Sequence, residues 1–342
     1  MSDTINQVSD KHVNRETAAH KSEPLISVVI PTYKRKVLLE RSLQSVFDQT
    51  YDNWEVIVSD DEEETGETWN YLKELSQRDP RIRPIKNPGV NGQVHNTNNA
   101  LRHARGQWIK LLHDDDRLKP DCLTELIAVV NNFNTRKIAC VTCGVDRFEG
   151  GNVKSPGRRA GWPLIEIIPQ DQIHTVMYMA EDAGGAAPSQ KMIHRRVVDQ
   201  GGFMEKPEGL NILVDSWFNA EIGQHGDLVL YRKPLVEWHQ GEHETESDGL
   251  DLSGAENEFY ILRHKLWDKI VDKSHLPPPE IMNQMIAMQR SLIRIRRGQI
   301  KEGLKILSGI RSIRAFWEYL HWGWHNISKG RVSYGKRIRV EI

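Results

Sequence analysis

The chain has 342 residues, 38% of them hydrophobic and 27% charged, which suffices for one large α/β domain with appendages or for two modest domains with a substantial core. No apolar run approaches the ~18–20 residues that a membrane-spanning helix needs, and stretch 1–23 is polar without the apolar centre of a secretory signal, so a cytoplasmic protein with a flexible N-terminal tail is expected. The net charge of −1 conceals an asymmetry: positions 281–342 carry thirteen Lys/Arg against three Asp/Glu, and the acidic body that remains excludes nucleic acid as its partner, because affinity for a polyanion comes mainly from cationic contacts.

Leu25 to Pro31 (LISVVIP) is a short β-branched run of the kind buried on both faces of a parallel sheet. Pro31 ends it, and Val37 to Gln49 then spaces Leu38, Leu39, Leu43, Val46 and Phe47 close to a helical period. Trp54 to Val58 is a second buried strand, stopped by the acidic loop Ser59 to Glu64. A helix over Thr68 to Gln77, a strand near Arg81 to Lys86, a Gly/Asn-rich loop and a helix over Thr97 to Arg105 lead to a fourth strand, Trp108 to Leu112. A helix over Asp121 to Asn132 and an apolar run, Ile138 to Val145, come next. That run holds Cys140 and Cys143, whose C-x-x-C spacing reads there as two core cysteines; with Cys122 the total of three is too few for a disulfide framework.

Strands alternating with helices predict a doubly wound, mainly parallel sheet with right-handed crossovers, whose ligands bind at the C-terminal ends of the strands. Polar residues stand at those ends: Thr32 to Arg35, then Asp60 and Asp61, then His113 to Asp116. A nucleotide diphosphate carries about two to three negative charges, so an acidic body can hold it only through a hard divalent cation such as Mg2+ or Mn2+, which prefers carboxylate oxygen. Asp114 to Asp116 supplies that oxygen directly after a buried strand. Taken alone, the triplet serves equally well as a solvated acidic turn or a helix cap.

PTYKR after the first strand, EVIVSDD after the second, NGQVHNTNNALRHARGQW before the fourth and LLHDDDRLKP after it resemble, in order and spacing, the family-2 glycosyltransferases of GT-A fold. The resemblance spans roughly Pro24 to Thr245. It implies a Rossmann-like sheet flanked by helices and a nucleotide site formed by Pro31, Thr32, Tyr33 and Arg35, with Tyr33 stacked on the base. Asp61 would accept from the base and Asp114 would reach the ribose. Asn96 and Asn98 would line the nucleotide loop, although amides in a turn also serve as local backbone caps. Asp115 corresponds to the metal ligand, and Asp116 either joins it or supports it from behind. The first acid of the D-x-D form is replaced by His113, which is expected to make a hydrogen bond beneath the site more readily than to bind Mn2+.

On the acceptor side, Gly201-Gly202-Phe203 precedes Leu213 to Phe218, and Asp215 matches the family's catalytic base, with Val214 where another acid usually stands; the plainer reading makes Asp215 a helix N-cap. Gly184 and Gly185 match a loop near donor sugar and acceptor, and Glu181 and Asp182 could bind sugar hydroxyls. His239 to His243 spells H-x-x-E-H, but Val229 to Trp238 looks like a strand rather than the helix a zinc peptidase requires; the resemblance instead places His239 beside the diphosphate or metal.

From Glu280 onward, apolar residues at helical spacing lie among arginines, and Phe316 to Trp324 concentrates aromatics. This pattern suits either a membrane interface or a helical hairpin packed on the catalytic domain or on a second subunit. The expected organisation is a tail (1–23), a catalytic domain (24–250) and a basic helical region (251–342), with Pro277 to Pro279 as an alternative boundary. The expected activity is inverting transfer from a nucleoside-diphosphate sugar, a UDP-sugar first, to a saccharide or lipid-linked acceptor, in the cytoplasm, with peripheral attachment to the inner face of the cell membrane as an open alternative. The rival is a degenerate sugar-binding or scaffolding subunit.

Overall fold

The computed structural model describes residues 23–149, 152–155, 164–179, 187–240, 255–296, 298–328 and 338–340. β1 (Ile26–Thr32), β2 (Trp54–Asp60), β3 (Ile82–Lys86) and β4 (Trp108–Leu111) alternate with α1 (Lys36–Phe47), α2 (Glu67–Arg78) and α3 (Gln93–His103). Then come β5 (Arg117–Leu118), α4 (Cys122–Asn132), β6 (Ile138–Glu149), β7 (Asn152–Ser155), β8 (Ile165–Ile168) and α5 (Ile173–Met179). β9 (Lys191–His194), α6 (Arg196–Asp199), α7 (Val214–Gly223) and β10 (Asp227–Gln240) follow, and α8 (Ala255–Lys269), α9 (Pro279–Arg296), α10 (Ile300–Ser308) and α11 (Ile313–Ser328) lead to a short β11 (Ile338–Val340).

The strands form one sheet in the order β11-β8-β10-β6-β9-β4-β1-β2-β3, with β5 beside β10 and β7 beside β6. The run β4-β1-β2-β3 is parallel throughout, as the alternation of strand and helix predicts. β6 and β10 are also parallel, while β9 runs antiparallel between β4 and β6. In-register pairing sets Thr32 at the end of β1 opposite Asp60 at the end of β2, so the polar residues that follow these strands share one edge of the sheet.

The period-2 alternation of the strands divides the interior in two. Ile26, Val28 and Ile30 of β1 and Val56 and Val58 of β2 bury with Leu39, Leu43 and Val46 of α1 on one face. Val29 and Ile57 turn to the other face and meet Leu101 of α3. Each such side chain contributes roughly 1.5–3 kcal/mol on burial. The second core runs on into Leu262 and Leu266 of α8 and Met282 and Met285 of α9, so these two C-terminal helices share the core of the sheet. Pro279 is the first residue of α9, where a missing N–H breaks no helical bond, and the buried Tyr178 hydroxyl donates to the Pro277 carbonyl at 2.6 Å. The cysteines are free and buried.

Candidate active site

The chain leaves β1 through a strained turn. Lys34 takes φ +53°, the only positive φ of a non-glycine residue among the described residues, a conformation that costs roughly 1–2 kcal/mol. The turn leaves Tyr33 48% exposed, with the Lys34 ammonium 5.1 Å from its ring centre. It also returns Arg35 over the residues that follow β4. Arg35 lies 3.3 Å from an Asp114 oxygen and 3.6 Å from Asp115. The second Asp114 oxygen accepts from Thr32 Oγ1 at 2.8 Å. Burial, then the charge of Asp115, raises the Asp114 carboxyl above its ordinary range, and the Thr32 hydrogen bond and Arg35 pull it back.

His113, Asp115 and Asp116 each bring a donor atom to within 4.8 Å of the others. Asp116 is 4% exposed, and its Oδ1 has no hydrogen-bond partner. Its carboxyl is pushed up to about 7, first by burial; the neighbouring His113 opposes the rise and Asp115 adds to it. A buried carboxylate oxygen left without a donor fits a cation, since a polar group is otherwise costly to bury unpaired. His113 is anchored by its backbone: its N–H donates to Ser189 Oγ at 2.9 Å, and its carbonyl accepts from Ser42 Oγ at 3.2 Å. One imidazole nitrogen lies 3.3 Å from the Gln93 amide. The ring therefore makes the expected local contact and also completes the three-donor set. His239, expected near the metal, is outside this set: it stacks on Phe148 at 5.1 Å and lies 3.5 Å from an Arg41 nitrogen. The ring lies flat against a neighbouring strand and is flanked by Glu237.

Asp61 follows β2 and closes the Gly/Asn loop, accepting from Asn87 Nδ2 at 2.6 Å and from the Gly92 N–H at 2.9 Å. Gly92 has φ +128°, open to glycine and strained for other residues, and α3 starts directly after it, four residues earlier than the periodicity predicts. Asn96 donates to the Thr32 carbonyl at 3.0 Å while its Oδ1 is buried without a partner. Asn98 is different. Its amide donates to the Met204 carbonyl at 2.7 Å and accepts from the Met204 N–H at 2.9 Å. Both ends of the amide are engaged by one backbone unit, so Asn98 tethers the segment after Gly202. Pro31 lies within β1, paired with Ser59.

Asp215 stands in the first turn of α7, one residue inside a helix whose N-cap is Leu213, so it is not the cap. Burial raises its carboxyl, and Lys191, then His113, act in the opposite direction. Lys191 lies in β9, wholly buried, and burial lowers its ammonium to about 8. The start of α7 is capped from a distance: Glu258 of α8 accepts from the N–H groups of Ile212 and Leu213 at 2.7 and 3.0 Å. Sequence reasoning missed Glu258 and Lys191; an acid on an otherwise apolar helix face and a lysine inside an apolar strand were the available signals. Glu181, Asp182, Gly184, Gly185 and His243 lie outside the described residues.

The model of Glycosyl transferase family 2 matches residues 27–202. The chain belongs to this family. Its relatives include the GalNAc(5)-diNAcBac-PP-undecaprenol beta-1,3-glucosyltransferase of Campylobacter jejuni, 37% identical over 109 residues, and the UDP-Glc:alpha-D-GlcNAc-diphosphoundecaprenol beta-1,3-glucosyltransferase WfgD of Escherichia coli, 35% identical over 92 residues. The first match covers 32% of this chain and the second 27%, and the chain spans 35% of either relative's length. Among solved structures, S. aureus TarS with UDP-GlcNAc superposes with a TM-score of 0.52 at 16% identity, over 77% of this chain and 70% of that one. The mannosyltransferase PcManGT of Pyrobaculum calidifontis, with GDP-Man and Mn2+, gives 0.51 at 16% identity, over 91% and 82%. These likenesses show the GT-A fold in this family-2 chain.

Proposed function

We propose that this family-2 protein is an inverting glycosyltransferase that moves a sugar from a nucleoside-diphosphate sugar, a UDP-sugar, to a hydroxyl of a glycan or lipid-linked saccharide. The observation that carries the reading is the set after β4: Asp114 held by Thr32 and Arg35, beside His113, Asp115 and a buried Asp116 oxygen without a donor. His113, Asp115 and Asp116 would hold a divalent cation, Mn2+ or Mg2+, which supplies charge neutralisation for the leaving diphosphate. An imidazole donor favours Mn2+, because Mg2+ demands a small octahedral shell of oxygen. The UDP complexes of TarS and the UDP-glucose named for WfgD support the nucleotide.

In the proposed step the acceptor oxygen bonds to the anomeric carbon as the bond from that carbon to the diphosphate oxygen breaks, and Asp215 takes the hydroxyl proton. A carboxyl raised by burial is a stronger base than an exposed one and suits this task. Tyr33, exposed at the mouth, would cover the base of the nucleotide, and Arg35 would turn from the acids to the phosphates as they arrive. The acceptors named for the two undecaprenol-linked relatives support a lipid-linked substrate, and with it attachment at the inner face of the membrane.

The test is calorimetric titration with UDP, GDP, CDP and dTDP, each with and without Mn2+ or Mg2+, followed by hydrolysis and transfer assays on the sugars of whichever nucleotide binds. Binding of UDP that requires the metal, tighter with Mn2+, is the expected result. Binding without turnover of any donor would establish the scaffolding reading, and no binding at all would end the donor assignment.

A further inference from the structure

No described helix is long and apolar enough to cross a membrane, yet α11 leaves a broad apolar face uncovered. Ala315, fully buried, marks the side of α11 that meets the body, and Tyr319, one turn on, packs against the same core. On the opposite side Ile313 is 78% exposed, Phe316 47%, Trp317 64% and Leu320 43%. Spacing of i, i+3, i+4 and i+7 sets these four in one stripe along the helix. The Phe316 and Trp317 rings pack edge to face with centres 5.8 Å apart, which keeps two large rings together at the surface. On α10, where Gly303 is the buried contact with α9, Ile300 and Leu304 are also more than half exposed. Single exposed apolar residues are ordinary, whereas a contiguous stripe marks an interaction surface.

The charge around the stripe selects the occupant. Exposed Lys301, Lys305, Arg311 and Arg314 lie on or beside α10 and α11, in a stretch, 281–342, whose sequence carries thirteen Lys/Arg against three Asp/Glu. A second copy of this chain would bring two such basic surfaces together, and like charges oppose that pairing. Nucleic acid would meet the cations but gives aliphatic Ile313 and Leu320 nothing to bury against. An anionic bilayer offers both: headgroup charge for Lys and Arg, and an interfacial layer for aromatic and aliphatic side chains.

We infer that α11, flanked by the basic residues of the C-terminal region, is a peripheral docking surface for an anionic lipid bilayer, lying in the interface with Ile313, Phe316, Trp317 and Leu320 inserted. The acidic remainder of the chain would be repelled by the same headgroups, so attachment would also orient the protein. The inference rests on the proposed lipid-linked acceptor only for its purpose; its test does not depend on transfer.

Full-length protein is floated with vesicles of phosphatidylcholine alone and of phosphatidylcholine with 30% phosphatidylglycerol, about a third, chosen to give the headgroup field discussed above, at low and at high salt. The expected result is recovery with anionic vesicles only, weakened by salt, and at least a ~10-fold drop in partitioning, a 1.4 kcal/mol change, for Phe316→Ser/Trp317→Ser. Because both side chains face solvent, that variant should keep wild-type thermal stability and UDP titration. Arg311→Glu/Arg314→Glu supplies a second variant that alters charge and leaves the apolar stripe intact; it should also lose partitioning. Equal recovery of wild type and both variants would overturn the inference. So would absence of vesicle binding together with a concentration-dependent dimer that Phe316→Ser/Trp317→Ser abolishes, or with retention on immobilised RNA. Failure of UDP titration with intact vesicle binding would sink the proposed activity and leave the surface standing.

Discussion

At the proposed donor end of the site Asp61 and Asp114 come from loops that follow strands, and their partners come from the ends of neighbouring elements: Thr32 and Arg35 on Asp114, and Gly92 on Asp61. The proposed acceptor end is assembled otherwise, with Asp215 in a helix whose start is held by Glu258, 45 residues away from Leu213, and whose approach is tethered by Asn98, 106 residues away from Met204. The donor end is therefore a property of the parallel sheet edge, whereas the acceptor end depends on contacts between distant segments. Damage to the two ends should differ accordingly: lost nucleotide affinity at one, lost turnover with affinity intact at the other.

The largest contrast is expected between the two acids at the centres of these ends. Asp215→Asn removes the proton acceptor and should lower kcat by about 10²–10⁴-fold, with UDP affinity unchanged by titration. Asp115→Ala should also abolish transfer, but through the nucleotide: in Mn2+ the affinity for UDP should fall by more than ~10-fold, at least 1.4 kcal/mol. If Asp215→Asn weakens UDP as much as Asp115→Ala does, the two ends are one unit and the comparison fails.

A smaller effect is expected at Glu258. Its replacement by Ala leaves the N–H groups of Ile212 and Leu213 without their acceptor, and an unsatisfied buried donor costs about 1–3 kcal/mol. Thermal melting should fall by roughly 2–4 °C per kcal/mol for a chain of this size, and kcat should fall with it as the first turn of α7 loosens. UDP affinity should stay at the wild-type value, and Glu258→Gln, which keeps an acceptor oxygen, should recover part of both losses. A melting loss with kcat untouched would show that the cap supports the fold without positioning Asp215.

The same contrast explains what could be read in the sequence. Strands β1 and β2 announce themselves by β-branched apolar runs, and the residues that follow them and β4 reach the sheet edge because the parallel topology leaves them nowhere else to go. The places of Asp61, Asp114 and Asp115 at that edge were legible for that reason. The tether made by Asn98 was not legible, because a side chain's partner, unlike its position on an element, depends on where residue 204 returns. The stacking of the His239 ring on Phe148 was equally hidden, because that contact is made when β10 settles in register beside β6. β9 carries a buried lysine in a four-residue strand, and nothing in its period marks it as the antiparallel insertion that joins β4 to β6.

That buried lysine supplies the finest test of the acceptor end. Asp215 must be ionised to take a proton, so kcat should fall as pH drops through its pKa, and burial sets that acid limb above the ordinary carboxylate range. Lys191, and more weakly His113, hold the limb down by favouring the charged carboxylate. Lys191→Met removes the stronger of the two cationic influences, from a side chain that is itself wholly buried, where charges are screened little. Its acid limb should therefore move to higher pH, with the plateau at alkaline pH less affected than the rate at neutral pH. A lysine that only fills space would lower the plateau and leave the limb in place, and a limb moving to lower pH would show that the positive charge does not act on Asp215.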